Sequence, residues 1–490
     1  MTAETHARRS SGVTGVGFAL ASLLIGGALG WLSVTLGNPM ILLLGGIGLV
    51  VVLVAVARPA LGLALVAFVT FTRFSDVLVN YHNAPSVMKW FVPLLVVLTL
   101  VRWIVVGERP SGWGRPLALL VAYGAVGALS AFYALNPDVS FEALDDYLKN
   151  ATIAIVVVAL LVNARTLRYV LWALLAAGTF MAALNVYQFL TNTFDNAYGG
   201  FAQASLAGIV GEATGYRIAG PVGDPNFFAL VLLILVPISF DRLVSEGRLL
   251  LRLLAALALG SCLLAIIFTF SRGAFVALSL LGLYAVLRYR RFVVGWLLGI
   301  VVAVLLLQYA VPDKYTARLE TLLDFLPGSE RNPLTEPAFY GRATEMRAAW
   351  YMFQSSPVWG VGLGNSPYRY VEYSIRSGMP GVAGPRAMHS LYLEVAAESG
   401  MLGLAAFAAI LWFAFRGMQR ARAQLVAAGR SDVVSMLDAV QAGLIAYLAG
   451  ALFLHGAYPR YFWFMVAVAL AIPNLTRHEV AGRANRPGRG

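Results

Sequence analysis

The chain has a single cysteine, Cys262, so neither an intrachain disulfide nor a cysteine-based metal centre can be built. Its five histidines (His6, His82, His389, His455 and His478) are scattered and form no HExxH pair, which leaves metal chemistry with little support. No glycine-rich phosphate loop ends in a lysine, which argues against an ATP-driven pump. Lysine itself is nearly missing, with Lys89, Lys149 and Lys314 the only examples. Almost all positive charge is therefore guanidinium, which stays protonated and grips phosphate as a fork. Charged residues make up 12% of the 490 positions against 59% hydrophobic ones, where a soluble domain carries roughly 25% charge. Mean hydropathy is +0.75. No soluble core absorbs that much apolar surface.

What is abundant is the apolar run close to the roughly 20 residues that cross hydrocarbon. The pattern predicts an all-α fold: a polytopic membrane bundle of about 14 spans, near 14–36, 40–57, 59–72, 91–106, 117–134, 150–163, 169–191, 226–240, 249–270, 273–287, 292–311, 401–417, 436–456 and 461–474. The net charge of +12 would suggest nucleic acid in a soluble protein. Here the arginines sit in short connections between apolar runs and read as topology signals, with no nucleic-acid partner expected. With the N-terminus inside as a retained first helix, Arg58, Arg109, Arg165, Arg242, Arg288 and Arg416 with their neighbours all fall on the cytoplasmic side, as does the basic tail 475–490. The whole chain, 1–490, reads as a single membrane domain, and the loop 312–400, too long for a connector, as a partly helical external lobe within it. A helix is expected at 341–354, where Arg342, Glu345 and Arg347 alternate with Trp350, Tyr351 and Phe353.

Arginine at membrane depth costs roughly 3 kcal/mol or more and asks for an anionic partner. Arg272, in FTFSRGAF at an outer turn, is one candidate, with a snorkelling interface anchor as the plain alternative. Arg217 precedes the segment Asp224-Pro225-Asn226, which resembles a helix start with Asp224 or Asn226 as cap and free N–H groups facing the outer surface. Capping alone would explain that tripeptide. The lobe holds the densest group: Arg342 in YGRATEMRAAW, the turn GVGLGNSPYRY at 360–370, and His389 in AMHSLYLEVAAESGMLGL. A histidine beside a helix start is often merely structural, but Glu394 and Glu398 follow on the same helix and could orient the ring or the helix. Asp145 and Asp146 form an acidic pair that could hold a divalent ion or, more plainly, a solvated face.

The order SRGA at the outer end of a span, then a large loop with an arginine, then GVGLGN and HSLYLEVAAESGMLGL resembles the O-antigen ligase and polymerase superfamily over about 210–415. DPN with the apolar run that follows at 224–230 is similar to members that polymerise or attach lipid-linked glycans. The resemblance implies a metal-independent, inverting glycosyltransferase of the GT-C type without cofactors, in the bacterial inner membrane with both termini cytoplasmic and a periplasmic site. It implies an undecaprenyl-diphosphate-linked glycan as donor, and as acceptor a lipid A core or a second lipid-linked glycan, in lipopolysaccharide or surface polysaccharide synthesis. Arg272 and Arg342 match the arginines that hold the diphosphate, Arg217 joins them on a looser match, and His389 matches the histidine that acts on the acceptor hydroxyl. Two guanidiniums suit a diphosphate leaving group, and an imidazole can take a hydroxyl proton near neutral pH.

Ligase and polymerase share this pattern; the ligase reading is slightly favoured. An anion transporter is the alternative from another class, against which stand the long lobe and the outer position of the candidate residues. A structural scaffold would leave the arginines and the histidine unexplained.

Overall fold

The computed structural model of the chain describes residues 40–105, 107, 112–209, 213–288, 324, 332, 337–379, 381, 383–454 and 459–484. Fifteen α-helices lie among them: α1 (Met40–Ala57), α2 (Pro59–Thr72), α3 (Phe74–His82), α4 (Val87–Val105), α5 (Gly114–Ser130), α6 (Pro137–Leu160), α7 (Ala164–Leu190), α8 (Pro225–Ser245), α9 (Leu249–Phe268), α10 (Arg272–Arg288), α11 (Pro337–Ser355), α12 (Ser366–Arg376), α13 (Leu391–Ala427), α14 (Ser431–Gly450) and α15 (Arg460–Ala484). By compactness the chain divides after Leu63, and Ala64–Gly490 forms the larger unit.

Six helices (α4, α7, α8, α9, α13 and α14) are long and apolar enough to cross a bilayer, and α2 with α3, bent by 52°, would make a seventh. The chain is thus a multi-pass membrane protein. The expected count of about 14 is not reached by this measure. The expected spans 14–36 and 292–311 lie outside the described residues, and α5 and α10 are apolar but short. The helix expected at 341–354 is present as α11.

One element departs from the all-α expectation. Residues expected to form a loop pair as an antiparallel hairpin, β1 (Gln203–Ile209) with β2 (Ala213–Gly220), Ser205 opposite Arg217. Both strands are short and rich in alanine and glycine, a local pattern that a search for 20-residue apolar runs passes over.

Helix α8 is the axis of the larger unit, packed by α7, α9 and α14. It is buried on all sides, from Phe228 to Leu235, which fits its unbroken apolar sequence. Its start is set locally. Pro225 occupies the first turn and the Asp224 carboxylate accepts the Phe227 N–H at 2.7 Å. A second layer joins α13 to α15, α5 and α11, and α6 to α15. Helices α11 and α12 pack on the first turns of α13 through Ala348, Met352, Val361, Tyr370, Tyr373 and Met388.

Helix α13 is broken at Gly400, whose φ of 60° and ψ of −158° no helix contains. The backbone groups freed by the break are taken up by the turn at 357–362. Met401 and Leu402 donate to the Pro357 and Val358 carbonyls, while Val361 and Gly362 donate to those of Ala397 and Glu398, all within 2.8–3.3 Å. Four backbone groups of α13 beside the kink thus find main-chain partners in the turn. The two chains approach so closely that a Cβ on Gly400 would sit 2.4 Å from the Val358 carbonyl carbon, and one on Gly360 2.4 Å from that of Glu398.

Candidate active site

Helix α9 ends at Phe268 and α10 begins at Arg272, joined by a turn in which Phe270 takes the left-handed φ of 50°. This tight reversal sets Arg272 in the first turn of α10, where the helix dipole is already positive. Arg272 is buried, with its guanidinium 4.0 Å from the ring centre of Phe339 on α11. The exposed, snorkelling alternative does not describe it.

Arg217, also buried, reaches from β2 across the same turn. Its Nε donates to the Thr269 carbonyl at 2.7 Å and its Nη2 to Asn226 Oδ1 at 3.1 Å. Asp224 is thus the cap of α8, and Asn226 holds Arg217. Arg342, half-buried on α11, lines a narrow cleft with Asn226, Ser271, Gly273 and Leu454. Three guanidiniums and the N-terminal ends of α8 and α10 consequently gather in one neighbourhood.

One turn beyond Arg342 on α11 stands Glu345, 1% exposed. Residues at i and i+3 share a helix face. Its Oε1 accepts Arg386 Nη1 at 2.9 Å, and its Oε2 lies 2.6 Å from Nδ1 of His389. The same Nδ1 is 3.1 Å from the Ala387 carbonyl. The Ala387 carbonyl and the Glu345 carboxylate both lie on the Nδ1 side of the ring, which suits the tautomer with its proton on Nδ1. The lone pair of the neutral ring is then on Nε2. His389 keeps about a quarter of its side chain exposed. It is fixed from both sides: Met388 is buried in the cluster under α11, and the Leu391 N–H donates to the carbonyls of Ala451 and Leu454 at the end of α14.

Neither Glu345 nor Arg386 stood out in the sequence as a site residue. The available signal was spacing, three residues after Arg342 and three before His389. Glu398, expected as a possible orienter of the ring or the helix, holds the neighbouring turn: its carboxylate accepts Gly364 N–H at 2.8 Å and Ser366 Oγ at 2.7 Å. It pins the glycine-rich turn. The turn is anchored a second time at the start of α6, because Asn365 accepts the Asn136 N–H and donates to Ser140 Oγ, each at 2.8 Å. Asp145 and Asp146 stand on an exposed face, paired with Lys149 at 2.6 and 2.9 Å.

No curated protein matches the chain. Residues 255–408 match the family model described as O-Antigen ligase. That segment contains Arg272, Arg342, Glu345 and His389, and the match supports the resemblance to the O-antigen ligase and polymerase superfamily.

Proposed function

We propose that this protein transfers a glycan from undecaprenyl diphosphate to an acceptor hydroxyl at the periplasmic face of the inner membrane, as an O-antigen ligase. The observation that carries the reading is the single turn of α11 between Arg342 and Glu345. It sets a guanidinium on the cleft at the starts of α8 and α10 and a buried carboxylate against Nδ1 of His389. The group that would meet phosphate and the carboxylate beside the proposed base thus share one helix face.

In the proposed step the acceptor oxygen attacks the anomeric carbon. The bond from that carbon to the diphosphate oxygen breaks, with its electron pair passing to the diphosphate, and the hydroxyl proton passes to Nε2 of His389. Arg272 and Arg342, with Arg217 behind them, meet the negative charge that accumulates on the leaving group. Fixed guanidiniums aimed at developing charge lower the barrier without needing to reorganise. Direct displacement inverts the anomeric centre. No step in this scheme calls on a metal or cofactor, so activity is expected to survive EDTA.

The test is incubation of the purified protein with an undecaprenyl-diphosphate oligosaccharide and either lipid A core or a second lipid-linked glycan. One addition to the core supports the ligase; a ladder of products identifies a polymerase instead. Arg272→Ala, Arg342→Ala and His389→Ala should each abolish transfer in protein that still inserts and purifies as a single species. Full activity in His389→Ala removes the general-base role.

A further inference from the structure

Helix α13 carries His389 just before its first residue and Arg416 near its other end. Beyond the break at Gly400, α13 runs on from Met401 to Arg416, 15 residues or about 22 Å at 1.5 Å per residue. A bilayer core is about 30 Å thick. Arg416 therefore belongs to the membrane end opposite His389, the end that the basic connections mark as cytoplasmic.

A cavity of about 590 Å³ opens there between α5, α13 and α15. Four arginines line it: Arg115 from α5, Arg416 and Arg420 from α13, and Arg477 from α15. Other arginines at this end have acidic partners: Arg168 and Arg242 with Glu246, Arg422 with Asp438, Arg430 with Asp432 and Glu479. Among the described residues no carboxylate lines the cavity. Topology signalling explains arginines at this end of the bundle. It does not explain why four of them converge on one concavity from three helices.

Apart from Gln424 and Asn474, the remaining wall is apolar. Leu119, Trp412, Phe413 and Leu470 line it, with Trp412 67% and Phe413 47% exposed. On α13 the two kinds of residue are one turn apart: Trp412 and Phe413 precede Arg416, and Arg420 follows at i+4. The floor is closed where Gly417 meets Pro473, since a Cβ on that glycine would lie 2.8 Å from Pro473 Cγ. Guanidiniums at the mouth and aromatic rings one turn deeper into the membrane match one kind of molecule, with an anionic phosphate head and a hydrocarbon tail.

We propose that this cavity binds an anionic phospholipid of the inner leaflet, its phosphate held by Arg416 and Arg420 with Arg115 and Arg477, and an acyl chain lying along Trp412 and Phe413. The site is separate from the proposed glycan chemistry and does not depend on it.

The full chain in detergent, titrated with phosphatidylglycerol and followed by native mass spectrometry, tests this. Saturable binding is expected, weakened roughly tenfold or more in the double variant R416Q/R420Q, as expected for lost charge-assisted contacts. The charge-matched pair R165Q/R248Q, exposed arginines outside the cavity, should bind like the parent. Equal weakening in both pairs would reduce the effect to net charge and overturn the site. So would equal binding of phosphatidylcholine with the same chains. Displacement of phosphatidylglycerol by millimolar inorganic phosphate would identify a free-anion site instead. Should R416Q/R420Q fail to fold, bromine-labelled acyl chains on phosphatidylglycerol read the parent directly: they should quench a tryptophan signal that Trp412→Phe removes. Quenching unchanged by Trp412→Phe overturns the placement of the chain.

Discussion

Replacing Gly400 with alanine tests whether the interlock between α13 and the 357–362 turn holds this protein together. Two costs follow from the geometry. The φ of 60° and ψ of −158° belong to a region essentially closed to any residue with a Cβ, worth about 1–3 kcal/mol. The new methyl would also lie 2.4 Å from the Val358 carbonyl carbon and oxygen, and forcing such an overlap apart costs another 1–3 kcal/mol or so. The expected loss is roughly 2–6 kcal/mol, a large part of the 5–15 kcal/mol typical of a folded protein. Gly260→Ala is the internal control, because that glycine is in α9 with nothing within 4 Å of its Cβ position. There the same change should be neutral or stabilise by about 0.5–1 kcal/mol. Unfolding of purified protein in detergent, followed by tryptophan fluorescence against heat or denaturing surfactant, reads both. Gly360→Ala inserts its methyl into the same contact from the other side, 2.4 Å from Glu398. The double variant should therefore lose less than the sum of the two single ones. A Gly400→Ala protein as stable as Gly260→Ala, or strict additivity with Gly360→Ala, would refute the interlock.

Glu345→Gln keeps the size of a buried side chain but removes the charge facing Arg386 and Nδ1 of His389. Losing a charge-assisted contact of about 1.5–3 kcal/mol should lower turnover roughly tenfold to hundredfold, with the protein still monodisperse; unchanged turnover would show that the carboxylate does not position the ring. Asn365→Ala strips partners from the Asn136 N–H and Ser140 Oγ at a fully buried site. At about 1–3 kcal/mol per stranded group, the unfolding midpoint should fall clearly, and a midpoint equal to the parent's would mean that the turn does not depend on this anchor.

The bundle was legible because span-length apolar runs with arginines between them can hardly be anything but membrane helices. Arg217, Arg272, Arg342 and His389 were legible as residue types that suit a diphosphate and a hydroxyl. Their partners were not. Glu345 looks like one more charge on an amphipathic helix until α11 is packed on α13, and Arg386 is an ordinary loop arginine until Glu345 is beside it. The hairpin at 203–220 was missed because its pairing is local and its strands are short. Asn136 and Ser140 carry no motif, yet they hold a turn more than 220 residues away, with Asn136 bonded across 229 positions.

Hydropathy and charge placement by themselves determine that this is a membrane-spanning helical chain, and its motifs carry the resemblance to the O-antigen ligase and polymerase superfamily. These are local properties, set by each residue and its near neighbours in the chain. Which nitrogen of His389 keeps its proton, which carboxylate holds it, and how four arginines from three helices come to line one cavity are decided only by tertiary packing. Hydrogen bonds and ion pairs act over about 3 Å, and no spacing along the sequence specifies which distant groups folding will bring that close.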